Sequence, residues 1–265
     1  MELLQALLLG IIEGLTEFLP ISSTGHLIIA EEYIAFKDTA KVFTVVIQLG
    51  AIAAVAWYYR NDLAQRIAGL FGGQRRHINF WLNLFFATLP AGLLGLALAN
   101  QFENYATPTV VAVALILGGI VLWLVDRAPT TEKPEAIKLD DISRTQALSV
   151  GLVQCMALIP GVSRSGASIV GGLLTGLNRT TATAFSFYLG IPVLGLASIY
   201  KLTTDWDKVG QISGGLPGIA VGAIAAFVTA LFAVSWLLRY ITTHNFRPFA
   251  YYRILLGIVV LLLLA

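Results

Sequence analysis

Charged residues are scarce in this sequence: they make up 12% of its 265 residues, against about 25% in a typical soluble domain. Hydrophobic residues make up 57%, which excludes an ordinary soluble protein and indicates an integral membrane protein. The net charge is only +2, so no nucleic-acid partner is expected. The single cysteine, Cys155, excludes an intramolecular disulfide. The N-terminal segment lacks a basic region and carries acids at Glu2, Glu13 and Glu17, which argues against a cleaved signal peptide.

Six apolar stretches are long enough to cross a bilayer, because a spanning helix needs about 17 to 25 residues. The predicted spans lie near Val42–Tyr59, Phe80–Ala99, Thr109–Val125, Ala182–Tyr200, Leu216–Leu238 and Phe249–Ala265. Two more apolar stretches, residues 3–35 and 145–177, are interrupted by Pro20 and Pro160, each followed by small polar residues. Proline removes a backbone donor and small polar residues favour turns. We therefore expect an all-α membrane protein with six transmembrane helices and two re-entrant helix-loop-helix hairpins.

The two interrupted segments resemble each other in sequence. ALLLGIIEGLTEFLPISSTGH (residues 6–26) aligns with ALSVGLVQCMALIPGVSRSGA (residues 147–167), and later segments align in the same order. This predicts one membrane domain over residues 1–265, built from repeats at about 1–127 and 145–265. Each repeat holds one hairpin and three spans, so the two repeats have opposite orientations in the membrane. Inverted repeats of this kind place binding sites near the membrane midplane.

The distribution of basic residues between the loops predicts the orientation of the chain. One side carries Arg60, Arg66, Arg75, Arg76, Arg127, Lys133, Lys138, Arg144, Arg179, Arg239 and Arg247, and the other carries Lys37, Lys41, Lys201 and Lys208. The first side is cytoplasmic by the positive-inside rule. The N-terminus, the base of the first hairpin and the C-terminus then lie outside, and the second hairpin enters from the cytoplasm.

Two carboxylates, Glu13 and Glu17, lie within the first interrupted segment, EGLTEFLPISSTGH (residues 13–26). A spacing of four places both on one helix face. There the like charges repel, and burying an ionisable group in the bilayer costs at least about 2.5 kcal/mol. Hard divalent cations take oxygen ligands, so we expect this pair to bind Mg²⁺ or Ca²⁺ together with a substrate phosphate. The alternative is a protonated pair bonded to facing backbone.

The second interrupted segment, PGVSRSGASIVGG (residues 160–172), supplies a positive charge at Arg164. A guanidinium group stays charged and binds phosphate oxygens through two donors. Backbone N–H groups where the second half-helix restarts after Gly166 are expected to add to this anion site. The candidate binding residues of this segment are Ser163, Ser165, Gly166 and Ser168. The alternative for Arg164 is an ion pair with Glu17 that holds the two hairpins together.

Three hydroxyl groups and a histidine follow the break in the first segment. Ser23 is the candidate nucleophile toward phosphorus, and His26, which titrates near neutrality, is a candidate base. Glu17 is the alternative base. Direct attack by a metal-activated water, with Ser23 only a ligand, is a further alternative. Ser22 and Thr24 are expected to cap the restarting half-helix and to contact substrate.

EGLTEFLPISSTGH and PGVSRSGASIVGG resemble the two signature motifs of the undecaprenyl-pyrophosphate phosphatase family (UppP, also called BacA). The resemblance covers essentially the whole chain, including AKVFTVVIQLG and FRPFAYYRI. It implies metal-dependent dephosphorylation of a C55 polyprenyl pyrophosphate at the outer face of a bacterial inner membrane, and it implicates Arg164 with Ser23, His26 and Glu17 in catalysis. The family residues carried over are Glu13, Glu17, Ser23, His26, Ser163, Arg164, Ser165 and Ser168. Ser168 stands where other members have threonine, which keeps the hydroxyl group.

The rival class is a transporter, because inverted repeats with re-entrant hairpins are typical of alternating-access carriers. A carrier of polyprenyl phosphate would need Arg164 but has no evident need for a nucleophile at Ser23. The predicted partners are therefore a polyprenyl pyrophosphate and the surrounding membrane lipid. The sequence leaves the oligomeric state open, a homodimer included.

Overall fold

The computed structural model describes residues 1–38, 41–104, 107–126 and 138–264. Within these ranges the protein is all-helical, with eleven α-helices, short 3₁₀ turns and no β-strand. In chain order the α-helices are α1 (Glu2–Thr16), α2 (Ser23–Ile34), α3 (Val42–Tyr58), α4 (Arg60–Phe71), α5 (Arg75–Asn104), α6 (Pro108–Val125), α7 (Arg144–Gln154), α8 (Arg164–Leu174), α9 (Arg179–Thr204), α10 (Gly215–Ile241) and α11 (Arg247–Leu264).

Five helices in the described part of the chain, α5, α6, α9, α10 and α11, are long and apolar enough to cross a membrane. The sixth predicted span, near Val42–Tyr59, corresponds to α3, which bends by 75° into α4. It counts as a span only if this bent pair is taken together. The bend coincides with the change from apolar residues to the polar run that begins at Arg60. The all-helical membrane class is thus confirmed, with five or six spans. Arg127 and Lys133, used to predict the orientation, lie outside the described residues.

The chain is interrupted at the two places predicted from Pro20 and Pro160. Helices α1 and α2 contain 15 and 12 residues, and α7 and α8 contain 11 each. At about 1.5 Å per residue, none of these four helices matches a hydrocarbon core of about 30 Å. A 3₁₀ turn, Cys155–Leu158, continues α7 toward its break.

Glycines allow close approach of the helices that carry the interrupted segments. A Cβ added at Gly10 of α1 would collide with the carbonyl oxygen of Gly222 on α10, and one added at Gly14 would collide with Thr229. Small residues permit such backbone contact between membrane helices. Helix α1, which carries the two candidate carboxylates, is therefore held firmly against α10.

The apolar core continues up to the first break. Phe18 is fully buried and packs edge-on against Phe187 of α9, with their ring centroids 5.3 Å apart. Ile21 and Ile169 belong to the same buried cluster. The polar residues of the two interrupted segments consequently lie in a largely apolar setting.

Candidate active site

Both second half-helices begin in the same way. Ser22 precedes α2 with φ 70°, and Ser163 precedes α8 with φ 73°. Each serine Oγ accepts a hydrogen bond from the backbone N–H three residues later, that of Gly25 at 3.3 Å or Gly166 at 3.0 Å. Positive φ is uncommon for a residue with a side chain, and such conformations cluster at functional sites.

Two details of the sequence prediction are wrong at these helix starts. Helix α8 begins at Arg164, two residues before Gly166, and the Gly166 N–H is already bonded to Ser163. It is therefore not a free anion donor. Thr24 lies inside the first turn of α2, where Ser22 alone provides the side-chain cap. The cap falls on Ser22 because its Oγ lies within reach of the N–H of Gly25.

The two breaks are in direct contact. Ser165 donates its hydroxyl proton to the backbone carbonyl of Leu19 at 2.8 Å, and its Oγ lies 3.1 Å from that of Ser163. Ser168 donates from its Oγ to the carbonyl of Arg164 at 2.9 Å. The structure thus brings the two predicted motifs together, although about 140 residues separate them in sequence.

Glu17 is the centre of this contact. Ser23 donates its hydroxyl proton to Glu17 Oε2, and Arg164 Nη2 donates to Glu17 Oε1 at 3.0 Å. All three side chains are buried. A buried ion pair repays its desolvation only when its geometry is good, and here the serine hydroxyl engages the remaining carboxylate oxygen. The ion pair expected as the alternative role of Arg164 is present.

Arg164 has contacts beyond this ion pair. Its Nη1 donates to the backbone carbonyl of Ser186 on α9 at 2.9 Å, and its guanidinium lies over the ring of Phe18 at 5.3 Å. The hydroxyl groups of Ser186 and Ser168 lie 2.7 Å apart. Arg164 Nε is buried without a hydrogen-bond partner among the described residues, so one donor remains for a ligand.

Glu13 is fully buried, and neither carboxylate oxygen has a hydrogen-bond partner within the described ranges. It lies close enough to Glu17 for the two carboxylates to repel. Burying a charged carboxylate without a partner is costly, so Glu13 requires a cation or a proton. The described residues contain no group of three or more His, Cys, Asp or Glu side chains that could by itself hold a metal ion. Any metal ion here would need water or substrate oxygens to complete its shell.

The hydrogen-bond partners of His26 are Ser22 and Tyr252 and not the two carboxylates. Its Nδ1 lies 2.7 Å from the carbonyl oxygen of Ser22, and its Nε2 lies 2.7 Å from the hydroxyl of Tyr252 on α11. A carbonyl only accepts, so in the neutral ring Nδ1 carries the proton, and Nε2 accepts from Tyr252. Both ring nitrogens are therefore engaged, and Ser23 is bonded to Glu17 instead.

Three residues near the site were missed by sequence reasoning: Ser186, Tyr252 and Arg253. Arg253 and Tyr252 lie in the segment FRPFAYYRI, which supports the family resemblance without singling out either residue. A charged residue within an apolar helix is itself a signal, because such residues are rare and mark functional positions. Ser186 carries no comparable signal, since an isolated serine is common in membrane helices.

Comparison with known proteins gives consistent matches over nearly the whole chain. The family model described as bacitracin resistance protein BacA matches residues 6–259. An undecaprenyl-diphosphatase of Nitrosomonas europaea is 51% identical over 262 residues, which cover 98% of this chain and 94% of the relative. Undecaprenyl-diphosphatase 1 of Burkholderia thailandensis is 49% identical, covering 97% and 94%. An undecaprenyl-diphosphatase of Bordetella pertussis is 46% identical, covering 98% and 96%.

Proposed function

The chain belongs to the bacitracin resistance protein BacA family, and we propose that it hydrolyses undecaprenyl diphosphate to undecaprenyl phosphate and inorganic phosphate. The reaction recycles the lipid carrier for peptidoglycan synthesis. The chain is a multi-pass membrane phosphatase, and relatives that match it over at least 97% of its length carry the name undecaprenyl-diphosphatase. The transporter alternative is not favoured by these names.

The observation that carries the reaction is the hydrogen bond from the Ser23 hydroxyl to Glu17 Oε2. A serine is a weak nucleophile until a neighbouring base accepts its proton. Glu17 is that base in our proposal, because His26 uses both ring nitrogens on Ser22 and Tyr252. His26 instead fixes the turn that carries Ser22 and Ser23.

The chemistry then proceeds in two displacements. As Ser23 Oγ bonds to the terminal phosphorus, its proton passes to Glu17. The bond from that phosphorus to the bridging oxygen breaks, and undecaprenyl phosphate leaves. Water next attacks the phosphorus of the phosphoserine, and the bond from that phosphorus to Ser23 Oγ breaks. The protons of the water leave with the phosphate, and the proton held by Glu17 returns to Ser23 Oγ. Arg164 stabilises the negative charge on the phosphoryl oxygens in both steps, using the unpartnered Nε as one donor.

A divalent cation, Mg²⁺ or Ca²⁺, is part of the proposal. The two unpartnered oxygens of Glu13 fit such an ion, whereas the Glu17 oxygens are already bonded to Ser23 and Arg164. Glu13 is therefore the main protein ligand, with Glu17 beside it. When bound, the ion neutralises charge on the pyrophosphate and on Glu13. Ser22, Thr24, Ser163, Ser165 and Ser168 surround the phosphate in this proposal, and Gly166 lies beside them with its N–H bonded to Ser163.

The architecture behind the site follows the sequence prediction of two re-entrant hairpins in inverted repeats. Support comes from the matching helix starts at Ser22 and Ser163, each with positive φ and the same serine-to-glycine cap. The contact between Ser165 and Leu19 supports a meeting of the two hairpins within the membrane. We place the opening of the site toward the outer face, where the first hairpin has its base by the positive-inside rule.

Phosphate release from undecaprenyl diphosphate by the detergent-purified protein tests this function. We expect release with Mg²⁺ or Ca²⁺ and none with EDTA. Glu17→Gln should lower turnover by about 10²–10⁴-fold, the range for a lost acid–base contribution, and Ser23→Ala, which removes the proposed nucleophile, should lower it at least as much. Ser235→Ala, a half-buried serine on α10, is the matched control and should retain wild-type turnover. A wild-type protein that binds the lipid but releases no phosphate would refute the phosphatase and favour a carrier.

A further inference from the structure

Arg253 of α11 is one of the largest fully buried side chains, with an exposed fraction of 1%. Its Nη2 donates to the carbonyl of Val162 at 2.8 Å and to those of Gly161 and Ala114 at 3.3 Å each. Its Nη1 donates to the carbonyl of Pro20 at 3.3 Å. These hydrogen-bond partners are all backbone carbonyls, so the guanidinium is held without a carboxylate among them.

Three of the four carbonyls that Arg253 binds lie just before the two serine turns, and the fourth, that of Ala114, belongs to α6. Pro20 comes two residues before Ser22, and Gly161 and Val162 come directly before Ser163. A single side chain therefore bridges both breaks from a third segment of the chain. The breaks are also linked directly by the hydrogen bond from Ser165 to Leu19 and by the ion pair of Arg164 with Glu17.

The surroundings of Arg253 leave space for this bridge. A Cβ added at Gly118 of α6 would collide with the guanidinium, and one added at Gly166 would lie 2.8 Å from Arg253 Nη1. Glycine at both positions leaves the space that the Arg253 guanidinium occupies. Arginine is also the residue suited to the task, because its planar group presents several donors in a fixed fork, whereas lysine offers a single compact ammonium.

We propose that Arg253 is a positioning residue for the phosphatase reaction. By binding the carbonyls before Ser22 and Ser163, it holds the two turns in the register at which Ser23 and Arg164 both reach Glu17. The inference rests on the proposed function. It adds a residue that acts through the protein backbone and does not contact the reacting phosphorus. A shift of about 1 Å at a reacting group costs on the order of 10²-fold in rate.

The test compares Arg253→Lys and Arg253→Met with the control Arg239→Met, an exposed arginine of α10 bonded to the Ser235 carbonyl of its own helix. For folded protein we expect kcat to fall by about 10²-fold in both Arg253 variants. KM for undecaprenyl diphosphate should stay within about threefold of the wild-type value, because the Arg253 guanidinium binds protein carbonyls and not the lipid. Lysine should not rescue kcat, although it keeps the charge. Arg239→Met should behave as wild type.

Each result of this experiment decides the proposal. Wild-type kcat in folded Arg253→Lys would overturn it, and so would a raised KM with unchanged kcat, which would indicate direct contact with substrate. If Arg253→Met does not fold, Arg253→Lys alone decides, with its melting temperature measured alongside. In a double-mutant comparison with Ser165→Ala, which removes a second link between the breaks, we expect non-additive losses in kcat. Wild-type protein that releases no phosphate would instead refute the proposed function itself.

Discussion

Glu17→Gln and Glu13→Gln are expected to affect stability in opposite ways, although both replace a buried carboxylate with an amide of the same shape. Glu17 is the counter-charge of buried Arg164, and removing one partner of a buried ion pair costs about 3–5 kcal/mol. We expect the lower end of that range, because the amide oxygen still accepts one hydrogen bond. Glu13 has no hydrogen-bond partner in the described part of the protein. Its neutral amide should leave the free energy of unfolding unchanged or raise it.

The assay is thermal unfolding of purified protein in detergent with EDTA, followed by tryptophan fluorescence. A loss of about 3 kcal/mol corresponds to a fall in Tm on the order of 10 °C, whereas Glu13→Gln should match or exceed wild type. Adding Arg164→Gln to Glu17→Gln should recover part of the loss, because the uncompensated charge is then gone. The reasoning is refuted if Glu17→Gln melts like wild type, or if both single variants lose the same stability.

Three further predictions concern packing, the base and the metal. Gly10→Ala should lower the free energy of unfolding by about 1–3 kcal/mol through overpacking against α10. The control Gly92→Ala should not destabilise the protein, because a Cβ at this position meets open space. Equal melting temperatures for the two variants would contradict the close contact of α1 with α10. His26→Gln should lower turnover clearly less than Glu17→Gln does, because His26 Nε2 is bonded to Tyr252. Steady-state kinetics of the two variants test this, and a larger loss in His26→Gln would indicate that His26 is the base. Mg²⁺ or Ca²⁺ at 100 times its Kd should raise the free energy of unfolding of the wild-type protein by about 2.7 kcal/mol, and it should not stabilise Glu13→Gln. An equal rise in the wild type and in Glu13→Gln would mean that the ion binds at another site.

The broken segments were predictable because their cause is local. Pro20 and Pro160 each stand before small polar residues, and α1 and α7 end shortly before them, at Thr16 and Gln154. The contact of the two motifs was also expected, because inverted repeats place their sites near the midplane, where broken helices meet. The exact start of α8 was not predicted correctly. Helix α8 starts at Arg164, three residues earlier than a restart after Gly166 would place it, because the Ser163 hydroxyl reaches the N–H of Gly166.

The roles of α11 could not be predicted from local pattern. Arg253 and Tyr252 act on residues more than 90 positions away, at Val162, Pro20 and His26. Periodicity and turn chemistry carry no information about such distant contacts. The bend between α3 and α4 was missed for a different reason. No proline marks it, and the prediction stopped the span where the apolar run ended without assigning the polar helix that follows.

The stereochemical course at the terminal phosphorus tests the central claim most directly. Undecaprenyl diphosphate with a chiral, isotope-labelled terminal thiophosphate is hydrolysed by wild-type protein, and the configuration of the released thiophosphate is determined. Attack by Ser23 followed by water requires two in-line displacements, so our account predicts net retention of configuration. Net inversion would contradict it, because a single displacement means that water attacks the substrate directly and that Ser23 is only a ligand.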